Sequence, residues 1–152
     1  MELKITIEAE GIETIRTKIN IPEEKNIKFR PEPHYSVYAR FFDRESREYR
    51  YTYDDNKLFL IAQQDYFNML LRYKKFVLLN NVYDALGLPR NEEPSGVKIG
   101  WVYHEDDNSV GDNYIDFGLF NPYGPWSSKQ DFLLDFNVDG DISKYLIDMD
   151  LA

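Results

Sequence analysis

The sequence predicts an α+β fold: antiparallel sheet or sheets, one central amphipathic helix over about 56–73, and one or two short helices. Three observations lead there. Apolar and polar residues alternate with period 2 ahead of residue 54 and again beyond residue 97, the pattern of half-buried strands. Between those stretches the period changes to steps of three and four, which marks a helix. Aromatic residues make up 16% of the chain, and aromatics fit the pleated, half-buried surface of a sheet. At 152 residues the chain is long enough for one domain with its own core, so a single domain over 1–152 is expected. It would be strand-rich over 1–53, helical over 56–73, and acidic and strand-rich over 77–152.

The elements follow in order. Leu3, Ile5 and Ile7 alternate with polar residues up to Glu8, and Gly11 marks a turn. Ile12 to Ile21 carries β-branched residues and ends at Pro22; Ile27 to Phe29 is a short third strand before Pro31. Tyr35 to Phe42 and Arg47 to Tyr53 alternate on either side of Asp43-Arg44-Glu45-Ser46, which predicts a β-hairpin. Asp54 and Asp55 can cap a helix, because a short carboxylate accepts from unpaired N–H groups. Phe59, Ala62, Tyr66, Met69, Leu70 and Tyr73 then form one apolar stripe. Arg72, Lys74 and Lys75 crowd the end, where the helix dipole favours cations. Phe76 to Leu79 is a short apolar segment. Asn80 is expected to cap a brief helix, Asn81 to Leu86, which Gly87 stops. Strands are expected at Lys98 to Tyr103, Tyr114 to Phe120 and Phe132 to Val138, with a short final helix at Asp141 to Met149.

Charge is unevenly spread. Residues 1–76 carry 14 Lys and Arg against 13 Asp and Glu, while residues 77–152 carry 4 against 14, so the halves are +1 and −10. Duplex nucleic acid needs the opposite sign to neutralise its phosphates, so none is expected as a partner. An acidic surface attracts a basic protein instead. The concentrated stretch is Glu105, Asp106 and Asp107, with Asp112 and Asp116 behind it. The first four are the candidate partner-binding residues. Arg40, Arg44, Arg47 and Arg50 interleave with aromatics, as in single-strand binders, but Asp43, Glu45 and Glu48 cancel much of their field.

Catalytic constellations are scarce. There is no Cys, which removes disulfides, thiolate metal sites and cysteine nucleophiles together. His34 and His104 are the only histidines, and neither stands in a recognisable nucleophile or metal motif. Asp135-Phe136-Asn137-Val138-Asp139-Gly140 matches the first half of a calcium loop, with Asp135, Asn137 and Asp139 as the metal candidates. Position twelve, where the bidentate Glu belongs, is Leu146. The expectation is no cofactor and no calcium. Asp116 and Asp135 each lie in an apolar strand, and a shared concavity would make them a carboxylate pair for metal or hydrolytic chemistry. No catalytic residue is otherwise expected, and the chain reads as a non-enzyme. Its apolar runs are far shorter than the roughly 20 residues that span a bilayer, and its start has no signal-peptide core.

The run Leu79-Asn80-Asn81-Val82-Tyr83-Asp84-Ala85-Leu86-Gly87-Leu88 is followed by Gly100-Trp101, Tyr114-Ile115-Asp116-Phe117 and Leu134-Asp135-Phe136. With Tyr49-Arg50-Tyr51, Ala62 and Asn68 upstream, it resembles a family of uncharacterised proteins of phages and prophages of Gram-positive bacteria. The likeness covers about residues 49–136. It implies a mobile-element origin, and with it the cytoplasm of a bacterial host or a virion as the location. It implies no activity. Together these features point to a binding protein whose acidic half docks on a basic partner, a host defence or nucleic-acid-handling protein. A virion or assembly component, and a metal protein using Asp116 and Asp135, are the alternatives.

Overall fold

The computed structural model describes residues 35–107 and 109–150, and from Ser36 on these form one compact unit. The strands expected at 3–8, 12–21 and 27–29, and His34, lie outside the described residues. The order is β1 (Arg40–Phe42), α1 (Tyr53–Lys74), β2 (Phe76–Leu78), α2 (Leu79–Leu86), β3 (Ile99–Val102), β4 (Phe132–Leu134), β5 (Gly140–Asp141) and α3 (Ser143–Asp148). This is α+β with antiparallel pairing throughout: β1 with β4, and a second sheet ordered β2-β3-β5.

β3 explains how the second sheet is covered. All four of its residues are buried, because a strand presents alternate side chains to opposite faces and both faces are packed. Ile99 and Trp101 join the main core with Val77, Leu79, Tyr83 and Leu86. Val102 joins Ile142 and Leu146, so that α3 closes the other face. Gly100 stands where β2 runs closest; a Cβ there would sit 2.2 Å from the Val77 carbonyl oxygen. Gly87 stops α2 in the left-handed conformation, φ 71°, which a residue without Cβ adopts freely.

Helix α1 starts and faces differently from expectation. Its N-cap is Thr52, whose hydroxyl accepts from Asp55 N–H at 3.1 Å; Asp54 and Asp55 occupy the first turn instead. The side chains turned to the core are Asn56, Leu60, Phe67, Asn68 and Leu71. Of the expected stripe, Phe59 and Leu70 are partly buried, whereas Ala62, Tyr66, Met69 and Tyr73 are exposed. The helix has two apolar faces. The buried one contains two asparagines, so the outer one looks more apolar on paper.

The hairpin is also corrected. Asp43 to Ser46 does turn, through Ser46 N–H to the Asp43 carbonyl and Asp43 N–H to Ser46 Oγ. A further turn, Tyr49 N–H to the Ser46 carbonyl, carries the chain away from β1. Residues 47–53 are no strand, because the Asn56 side chain takes both backbone groups of Arg50, at 2.7 and 2.8 Å. Tyr114 to Phe120 is likewise no strand beyond one bridge, Phe120 to Leu133. Asn68 takes both backbone groups of Ile115, at 2.7 and 2.8 Å, and Gln64 accepts from Phe117 N–H at 2.8 Å. Asn80 caps nothing: α2 begins at Leu79, and Asn80 holds both backbone groups of Asn91, at 2.6 and 3.0 Å.

A carboxamide carries one acceptor and one donor side by side, as a peptide unit does. Gripping the N–H and C=O of one residue therefore copies the paired bonds of an antiparallel ladder. Leaving a buried backbone group unpaired costs about 1–3 kcal/mol. Asn68→Ala orphans two such groups at Ile115, and we expect it to destabilise by about 2–5 kcal/mol in urea unfolding. Arg72→Ala, on the exposed side of the same helix, should stay within about 0.5 kcal/mol of the parent.

Candidate functional site

The acidic residues sit on a loop that leaves β3 and is pinched shut at its neck. Asn113 accepts from His104 N–H at 2.7 Å and donates to the His104 carbonyl at 3.0 Å. It does so in the left-handed region, φ 56°, which Asn tolerates better than most residues. Inside the loop, Asp107 accepts from Ser109 N–H at 3.0 Å and from its hydroxyl at 2.6 Å, and those bonds hold its carboxyl below the usual range. Glu105 pairs with Lys75 at 3.3 Å, at the end of α1. Asp106 is exposed.

Asp112 is tied inward by Asn137, whose amide donates to it at 2.8 Å. The same Asn137 donates to the Tyr114 carbonyl and accepts from Trp101 Nε1 and Asp116 N–H, at 2.8–2.9 Å. Its hydrogen-bonding capacity is filled by the protein, and it offers no ligand oxygen to a calcium ion. The other members of the calcium-like run are also engaged, in separate directions. Asp135 accepts from Ser36 N–H at 3.2 Å and Oγ at 2.6 Å. Asp139 accepts from Val102 N–H at 2.8 Å. Among the described residues no three His, Cys, Asp or Glu side chains converge on a metal position. Asp116 caps its own turn, accepting from Gly118 N–H at 2.8 Å, so it and Asp135 serve different donors.

Asp139 therefore joins the acidic loop. Gly111 lies against it: a Cβ on that glycine would come within 3.0 Å of the Asp139 carboxylate. Burial, and then the Asp112 charge, push the Asp139 carboxyl up, against the lowering effect of the Val102 N–H and of His104. Sequence patterning named Asn137 and Asp139 only as candidates for a cation site; it missed Asn113 and the bridging role of Asn137. A loop asparagine carries no periodic signal, so nothing but the fold reveals its partner.

Elsewhere, Arg40 lies over the Tyr83 ring at 4.7 Å and Arg50 over Phe59 at 4.2 Å. These arginines stack on the protein's own rings and build no open platform for bases. A cleft of about 460 Å³ separates the Asp43–Tyr49 turn from Ser128–Asp131. Arg44 and Lys129 line it together with Asp43, Glu45 and Asp131. Burial, and then Asp43, raise the Asp131 carboxyl. Gln130 Oε1 is buried without a hydrogen-bond partner among the described residues.

One family model matches the chain, over residues 4–146, and is described as a family of unknown function, DUF6353. The chain belongs to DUF6353. The match takes in α1, both sheets and the acidic loop, and ends inside α3. Neither a curated protein nor a solved structure matches the chain. No helix among the described residues is long and apolar enough to cross a membrane.

Because the Asp139 carboxyl titrates above its unfolded value, the folded protein takes up its proton first as pH falls. The destabilisation it causes is present at neutral pH and gone below the unfolded carboxylate value of about 3.9. Asp139→Asn keeps an acceptor for Val102 N–H and removes the charge. We expect a higher Tm than the parent at pH 7, with the gap closing as pH falls below about 4.

Proposed function

We propose that the chain is a non-enzymatic binding protein that docks its acidic second half on a basic protein surface. The observation that carries this reading is the acidic loop over 104–113, closed at its neck by Asn113 and lying in a half with net charge −10. A loop closed at its neck, with the Asp107 and Asp112 carboxylates already held, loses less conformational entropy on docking than an open one. Opposite charge steers the encounter and weakens with salt. The likeness of residues 49–136 to phage and prophage proteins makes a host defence or nucleic-acid-handling protein the partner class we propose, met in the host cytoplasm. No step of this reading uses a metal, a cofactor or a catalytic residue.

The second reading, a virion or assembly component, draws on a different observation: the exposed apolar face of α1. Mass spectrometry of purified particles separates the two, since only an assembly component co-purifies in stoichiometric amount.

The acidic reading is tested by quantitative pull-down from Gram-positive host lysate. The baits are the parent chain and a variant carrying Glu105→Gln, Asp106→Asn and Asp107→Asn. We expect a specific basic protein to be retained at low salt, lost at high salt, and depleted at least tenfold on the variant. Retention that ignores both salt and the substitutions overturns the reading.

A further inference from the structure

We infer that the outer face of α1 is a self-association surface, on which a second copy of the chain lays the same face in antiparallel orientation. Leu58, Ala62, Tyr66, Met69 and Tyr73 succeed one another at steps of four, four, three and four. At 100° per residue they fall within an arc of about 80°. With a rise of 1.5 Å per residue the stripe runs for about 22 Å. It faces away from the core: Leu58 is 65% exposed, Met69 53% and Tyr73 82%, with Ile61 and Tyr66 also open at the sides. The opposite side of the helix is already buried through Leu60, Phe67 and Leu71, so the stripe is surplus to the fold of this unit.

The occupant follows from charge and area. The first turn of α1 is acidic, with Asp54 and Asp55, and the last turn is basic, with Arg72 and Lys74. Antiparallel pairing sets the acidic end of each helix beside the basic end of the other and opposes the two helix dipoles. A parallel pair would align like charges at both ends. Shape agrees as well, since Ala62 leaves a gap near the middle of the stripe that a larger side chain such as Met69 can enter. Aromatic side chains offer roughly 150–250 Å² each. Five large residues exposed in these proportions present on the order of 500 Å² per copy. Two copies together would remove about 1,000 Å² from water, the lower bound for a specific interface. That predicts a reversible dimer. Asp65, on the rim at mid-helix, faces its own copy across the twofold axis and opposes the pairing. The inference is independent of the acidic-loop reading, whose residues lie outside α1, and uses the same exposed face as the assembly reading.

Sedimentation equilibrium of the full chain reads the result. The mean mass should rise from 18.1 kDa toward twice that value across the micromolar to sub-millimolar range. Met69→Glu with Leu58→Glu should hold the mass at the monomer value with an unchanged Tm. Asp65→Asn should shift dimerisation to lower concentration. Because the chain has no Cys, orientation is read by mixing Leu58→Cys with Tyr73→Cys and oxidising. Antiparallel pairing gives the mixed disulfide in excess over either homodimer. A monomer at every concentration overturns the inference, as does a dimer that survives the double variant. A fall in monomer Tm on Met69→Glu also overturns it, since the stripe would then be covered from within the same chain.

Discussion

Four asparagine side chains each hold the N–H and C=O of a single distant residue: Asn56 on Arg50, Asn68 on Ile115, Asn80 on Asn91 and Asn113 on His104. The rest of the unit depends on this substitution of side chain for ladder. Its strands are two to four residues long, too short to satisfy the backbone of the segments between them. Buried N–H and C=O groups need partners, and the carboxamides supply them where no strand is near. Ile115 and Phe117 can then be fully buried on a segment outside any sheet. The acidic loop keeps its shape by the same device, at His104.

Much of the fold was legible, and the reasons for the misses are specific. Turn chemistry located Gly87 and the break at Asp43–Ser46. The segment Tyr114 to Phe120 does alternate, with Ile115 and Phe117 inside and Tyr114 and Asp116 outside. The error lay in the partner: alternation reports which side is buried, and says nothing of whether the backbone bonds go to a strand or to Asn68 and Gln64. The hairpin failed for the same reason, at Arg50. The stripe on α1 failed because periodicity measures apolarity, and the buried face carries Asn56 and Asn68. The acidic loop was visible as composition, whereas its neck and its neighbour Asp139 were not. Asn113 and Asn137 act across the fold on residues that no spacing rule connects to them.

These misses share a cause with the distribution of chemistry over the molecule. Polar groups went inward to serve the backbone, and apolar groups were left outside on α1. Arg40 and Arg50 turned onto aromatic rings. The negative charge was then concentrated on a loop fixed at its base and linked by Lys75 and Glu105 to the end of α1. Each side of α1 carries its own work: the inner side holds the loop backbones, and the outer side is free for contact.

The pairing of β1 with β4 sets an order on synthesis. Phe42 finds its neighbour in Phe132, and Ser36 meets Asp135 across 99 residues. Closing so long a loop is entropically late in folding. A chain leaving the ribosome N-terminus first completes α1, β2 and α2 while Phe42, a fully buried residue, still waits for β4. Translation has to run past β4 before the core can shut. The partly built chain carries an unpaired strand edge through that interval, and with it the need for a chaperone or for speed.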